Sequence, residues 1–147
     1  MPEKEVVERA KQDKREGKAP STQAGEFVRE EIEHIREGKH GARSTRQAIA
    51  IGLSKARRAG VKLPPPEKGT APKETREQAA RELRKAKKPA KKTSAKRSRA
   101  MSRVLKREGS SAASGAALSR HARSAAAKRS AAARSRSAKK AAKTRKK

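Results

Sequence analysis

The stretch TQAGEFVREEIEHIREGKHGARSTRQAIAIGLSKARRAGVKL, Thr22–Leu63, decides how this chain folds. In its first half Ala24, Val28, Ile32 and Ile35 recur at helical spacing, with Phe27, the sole aromatic residue, on the flank. Opposite them Glu26, Glu30, Glu33 and Glu37 form an acidic stripe, and Gly38 supplies the stop. Four carboxylates facing away from an apolar stripe read as a solvated face, on which a basic segment of the same chain could rest transiently. The second half opens on Ser44 with Gln47 three residues later, a capping box. Ile49, Leu53 and Ala56 line one face, and Ala48 and Gly52 lie close by to permit tight packing. Gly60 suits the left-handed position after a helix, Val61 can fold back on Ala56, and Pro64, Pro65 and Pro66 forbid continuation. The pattern predicts a helical hairpin over residues 22–63, with Ile49 and Leu53 facing Val28 and Ile32.

Working outward, Pro2–Glu16 reads as a charged helix whose apolar stripe is only Val6, Val7 and Ala10, with Gly17 past its end. Residues 1–21 are therefore a charged N-terminal helix and linker. A Pro-rich linker occupies 64–73, and short basic amphipathic helices occupy 74–108. The first of these, Glu74–Lys88, carries a Glu77–Arg81 pair and a stripe of Ala79, Leu83 and Ala86, and Pro89 ends it. The second, Ser94–Glu108, carries Met101, Val104 and Leu105 and closes at Gly109. Residues 109–147 are an Ala/Ser/Lys/Arg tail, expected to be disordered when free and helical once its charge is neutralised. The fold class is mostly α: a small helical hairpin with a disordered, helix-competent basic tail. Arg-Glu-Gly recurs at 15–17, 36–38 and 107–109, which three helices each ending in glycine would explain. The hairpin's few large apolar residues put it at the edge of stability, leaving room for a protein partner or self-association.

Charge bounds the function. Lys and Arg number 43 against 15 Asp and Glu, a formal +28 over 147 residues. Residues 1–63 hold 15 basic and 10 acidic side chains, and no acid follows Glu108. Such a chain calls for a polyanion, with DNA (or RNA) first and an anionic membrane surface second. There is no cysteine, and no apolar run approaches the ~20 residues of a membrane span, so membrane insertion is not expected. The acid-rich first 18 residues suit neither a secretory signal nor an organellar presequence, so a cytoplasmic, nucleoid-associated protein is expected. His34, His40 and His121 lack metal-ligand spacing, and no phosphate loop, serine elbow or zinc-protease motif occurs. Neither enzyme activity nor a metal or cofactor is expected.

Phosphate contacts are assigned to the cation-dense stretches. In the hairpin these are Lys39, Arg43, Arg46, Arg57 and Arg58. Beyond it they are Lys87, Lys88, Lys91, Lys92, Arg97 and Arg99, then Arg134, Arg136, Lys139, Lys140, Lys143, Arg145, Lys146 and Lys147. Cations every two or three residues suit phosphate neutralisation without fixed register, and the lack of Tyr and Trp argues against stacking on single strands. Lys39, His40 and Arg43 also precede a helix start, where a phosphate could be held, or where Ser44 simply caps and the cations face solvent.

Two stretches, KAKKPAKKTSAKRSR (85–99) and AAAKRSAAARSRSAKKAAKTRKK (125–147), resemble the Lys/Ala-rich tails of bacterial histone H1-like nucleoid proteins. Separately, GKHGARSTRQAIAIGLSKARRAGVKLP (38–64) is similar to a small bacterial domain family without assigned function, in which a basic lead-in precedes a QAIAI-x-LS-x-AR helix. The second likeness implies a bacterial source and a recurring module, and brings no catalytic residues. The expected function is non-specific binding of nucleic acid, DNA before RNA. An RNA- or ribosome-associated protein, or an adaptor docking through the hairpin, would use the same chemistry.

Overall fold

Gly60 takes φ +96°, and the two hydrogen bonds of a Schellman motif close around it: Gly60 N–H donates to Arg57 O (3.1 Å) and Val61 N–H to Ala56 O (3.0 Å). This is the ending expected for the third helix in the computed structural model, which describes residues 2–88 and 92–146. The same pair of bonds closes the two preceding helices at Gly17 and Gly38. Gly109, third in the Arg-Glu-Gly recurrence, is not in the left-handed region; there the helix ends in extended backbone at Glu108.

Among the described residues the elements are α1 (Lys4–Arg15), α2 (Pro20–Arg36), α3 (Thr45–Arg58), α4 (Lys73–Ala86), α5 (Ala95–Arg107), a 3₁₀ turn (Ser111–Ala113), α6 (Gly115–Ala127) and α7 (Ala131–Arg145). The chain is mostly α, as expected. Pro89, read as the stop of α4, lies outside the described residues.

Helix α2 is central. It buries Gln23, Ala24, Phe27, Glu30, Glu31, Ile32 and Ile35, more than one face can hold, because α1 and α3 both pack on it. Phe27 is fully buried rather than flanking. It joins Val6 and Ala10 of α1, Ala24, Ala56 and Val61, with Val7, Leu53 and Leu63 packed around them. The short stripe of α1 is thus sufficient once α2 supplies an aromatic ring to cover it.

The α2–α3 crossing is built on small residues. Ala48, Gly52 and Ala56, one turn apart, are buried on α3, whereas Ile49 and Ile51 are half-exposed. A Cβ added at Gly52 would lie 2.7 Å from Val28 Cα, so the two backbones touch there. The expected facing of Ile49 onto Ile32 is replaced by Ala48, which brings the helices closer than a large side chain would.

The segment after α5 returns to this crossing. Ala112 and Ala113, both buried, pack with Ile32, Ile35, Ala42 and Ala48. Thr45 Oγ1 donates to Ala112 O (2.6 Å), and Arg36 Nε donates to Ala113 O (2.9 Å). Gly41 N–H donates to Leu105 O (2.8 Å) and Ala42 N–H to Gly109 O (3.1 Å), which ties the α2–α3 loop to the same segment. The disorder expected over 109–147 is therefore not what the structure describes: its start is docked, and α6 and α7 are helical. Alanine docks here because a groove floored by Ala42 and Ala48 has no room for anything larger.

A Cβ at Gly41 would collide with the backbone carbonyl of Glu108. Gly41→Ala is thus expected to expel residues 105–113 from the loop at a cost of ~1–3 kcal/mol. Limited trypsin digestion should show faster cleavage after Lys106 and Arg107; an unchanged cleavage rate would mean the segment is not held there.

Candidate nucleic-acid interface

The acids of the N-terminal helices are nearly all held in ion pairs. Arg9 pairs with Glu26 (2.8 Å), Lys18 with Asp13 and Glu16 (2.7 and 2.8 Å), Lys39 with Glu37 and Glu3 (3.0 and 3.4 Å). Hydrogen bonds donated to Asp13 and then Glu16 hold the Lys18 ammonium well above its usual range, and one donated to Glu37 raises Lys39 in the same way. His34 and then Lys39 hold the Glu3 carboxyl below its ordinary value.

The acidic stripe of α2 is solvated only in its second half, at Glu33 and Glu37. Glu26 is taken by Arg9, and Glu30 is buried, accepting from the Glu3 N–H (2.6 Å) and lying 3.7 Å from Lys55 Nζ. Glu37 pairs with Lys39, and Glu33 alone stays exposed without an ion pair. The first half of the stripe faces α1 and α3, which leaves little for a basic segment to rest on.

Among the hairpin cations assigned to phosphate, Arg43 and Arg46 are exposed at the start of α3. Ser44 Oγ accepts from Gln47 N–H (3.1 Å), and Gln47 Oε1 accepts from Arg43 N–H (2.7 Å). The helix start is therefore capped from within. Lys39 is paired as above, and His40 turns inward to Glu31 (3.2 Å). Arg58 is exposed and donates to Ser54. Arg57 is different: it is buried, donates to Leu63 O (3.4 Å) and pairs with Glu82 of α4 (3.3 Å). Packing of α4 on α3 encloses its guanidinium, so Arg57 is an internal strut instead of a phosphate contact. The expected Glu77–Arg81 pair gives way to Lys73–Glu77 (3.8 Å), four residues apart.

Further along, Lys87, Lys88, Lys92, Arg97 and Arg99 are all exposed. So are Arg134, Arg136, Lys139, Lys140, Lys143, Arg145 and Lys146, while Lys91 and Lys147 lie outside the described residues. Among the described residues no ion pair reaches beyond Glu82. On α7, Arg136, Lys139, Lys140 and Lys143 stand at i, i+3, i+4 and i+7, which gathers them on one helix face. Exposed Lys96, Arg103, Lys106 and Arg107 on α5 extend the cationic surface. In the sequence the apolar Met101, Val104 and Leu105 mask this charge, although Met101 and Val104 are 59 % and 52 % exposed.

The histidines depart from expectation. His34 and His40 converge with buried Glu31, one donor atom of each lying within 4.8 Å of the others. The available signal was Glu31-x-x-His34, which puts both on one face of α2.

Residues 4–68 match the model of a family of unknown function, DUF6496. The match encloses residues 38–64 and extends over α1 and α2, ending before α4. No curated protein and no solved structure matches the chain. Nothing in the comparisons supports the histone H1-like likeness of the tail.

Proposed function

We propose that this chain binds nucleic acid, duplex DNA before RNA, by neutralising phosphates non-specifically with the cations beyond Glu82, as a nucleoid-associated, histone H1-like protein of the cytoplasm would. One observation carries the reading: nearly all carboxylates of the N-terminal helices are held in ion pairs, while among the described residues the exposed cations beyond Glu82 have none.

The α7 face suits the task. Seven residues of helix span about 10 Å, a length over which duplex DNA presents roughly six negative charges. Alanine and serine between the cations keep the helix slim enough to approach the backbone. An isolated helix of this length is marginal in water, and its like charges weaken it further. Helix α7 therefore frays in the free protein and firms up on phosphate. The exposed Met101 and Val104 favour a second reading, a protein contact made through α5. The hairpin is less suited to that role, since α1, α4 and the 3₁₀ turn already pack against it.

Titrating labelled duplex DNA across a salt series tests the proposal. Log K is expected to fall linearly with log salt, by about 0.9 per phosphate contacted, and to vary little with sequence. A slope near zero would overturn it. Displacement by structured RNA at far lower concentration than by unlabelled duplex, at matched salt, would assign the surface to RNA.

A further inference from the structure

We propose that Glu31, His34 and His40 form a binding site for a first-row divalent transition-metal ion of the zinc type, where α2 meets the loop leading to α3. Glu31 and His34 sit one turn apart on α2, a Glu-x-x-His spacing that carboxylate metal centres of helical bundles use. The Schellman turn at Gly38, in which Lys39 N–H donates to His34 O (3.0 Å), folds the chain back and delivers His40 to the same place.

The donors are close to coordination geometry. Zinc holds imidazole nitrogen at ~2.0–2.1 Å and carboxylate oxygen at ~2.0–2.2 Å, so two donors of one tetrahedral ion lie about 3.4 Å apart. Here the donor atoms all lie within 4.8 Å, and rotamer adjustments of the three side chains draw them in around the ion. The imidazole rings are 6.3 Å apart and inclined at 81°, so both can aim at one point without stacking.

Independent of that spacing, the Glu31 carboxylate is buried beside a single ammonium that it shares with a second carboxylate. Its side chain is 1 % exposed, and neither oxygen has an aligned hydrogen bond. Lys55 Nζ stands 2.7 Å from Oε2, and the same ammonium must also serve the buried Glu30 carboxylate at 3.7 Å. Two buried carboxylates thus share one cation. The other oxygen, Oε1, faces His40 Nε2 at 3.2 Å. His40 Nδ1 lies 3.1 Å from Gly41 O, an atom that can only accept, so in the neutral ring Nδ1 carries the hydrogen and the Nε2 lone pair points at the carboxylate. Two lone pairs so placed repel unless a cation lies between them. A backbone carbonyl fixing the far nitrogen is also the usual outer support of a metal-bound histidine.

Glu3 supports the ring of His34 from the other side: its Oε1 is 3.1 Å from His34 Nε2, and Glu3, Glu30 and His34 form a separate group with donor atoms within 4.8 Å of one another. A metal ion held by Glu31, His34 and His40 would pin α2 to the loop. With side chains 14 % and 18 % exposed, His34 and His40 leave the ion a path from solvent. A proton shared between His40 and Glu31 would answer the same electrostatic need, and the experiment separates the two.

The experiment is a zinc titration of the full chain, free of nucleic acid and stripped with chelator. Uptake is read against a chromophoric competitor while the imidazole NMR signals are followed. One zinc per chain is expected, moving the His34 and His40 signals together and leaving His121 in place. His40→Gln and Glu31→Gln should each weaken uptake by about 100-fold or more, at or beyond the upper end of what loss of an outer support costs. Failure of the wild-type chain to take zinc from the competitor would overturn the proposal and leave a proton as the shared cation. Uptake that shifts His121, or that leaves His34 or His40 unmoved, would overturn it equally, whatever the variants do.

Discussion

Phe27→Ala is expected to abolish cooperative thermal unfolding of the N-terminal helices. The ring is fully buried and is the largest side chain of the cluster to which α1, α2 and α3 all contribute. Much of its lining is alanine, at positions 10, 24 and 56, and alanine cannot swing into a vacated space. The void should therefore persist, placing the cost in the ~3–5 kcal/mol range of aromatic truncations that do not collapse. Total stabilities of small domains run to about 5–15 kcal/mol, and a core this limited belongs at the low end. Circular dichroism melting of the full chain checks it. The variant should melt broadly and early while still binding duplex DNA at low salt, because the exposed tail cations do not touch this core. A sharp wild-type transition would show that the ring is not the keystone.

Much of α2 and α3 was legible in the sequence because local rules act there without competition. Glycine past a helix end, serine three residues before a free amide and Val61 folded over Ala56 each involve neighbours a few residues apart. What could not be read depends on contacts between distant segments. Glu30 belongs to an acidic stripe by spacing, yet α1 covers it, and only the fold reveals Glu3 N–H at 2.6 Å. Arg57 is one cation among many until α4 brings Glu82 to it. Ala112 and Ala113 carry no hydrophobic signal in a low-complexity segment, and they bury themselves only because the α2–α3 crossing is lined with residues as small as they are. The cationic surface itself is compositional, and composition shows it directly. Its concentration on one face of α7 needs only the helical period.

Deleting residues 128–147 tests the central claim most directly. A chain ending at Ala127 keeps Ala112, Ala113 and Leu118, and loses no residue of either core cluster. Its thermal transition should therefore match that of the full chain. It loses ten of the 43 cations. If half or more of those ten meet a phosphate, the slope of log K against log salt on duplex DNA should shrink by ~4–9. Affinity at moderate salt should fall by orders of magnitude with it. The decisive measurement is that pair of slopes, full chain and truncated, taken on one duplex over one salt range. The account predicts a much shallower line for the truncated chain. Two parallel lines would contradict it and place the phosphate contacts in the helices before Lys128.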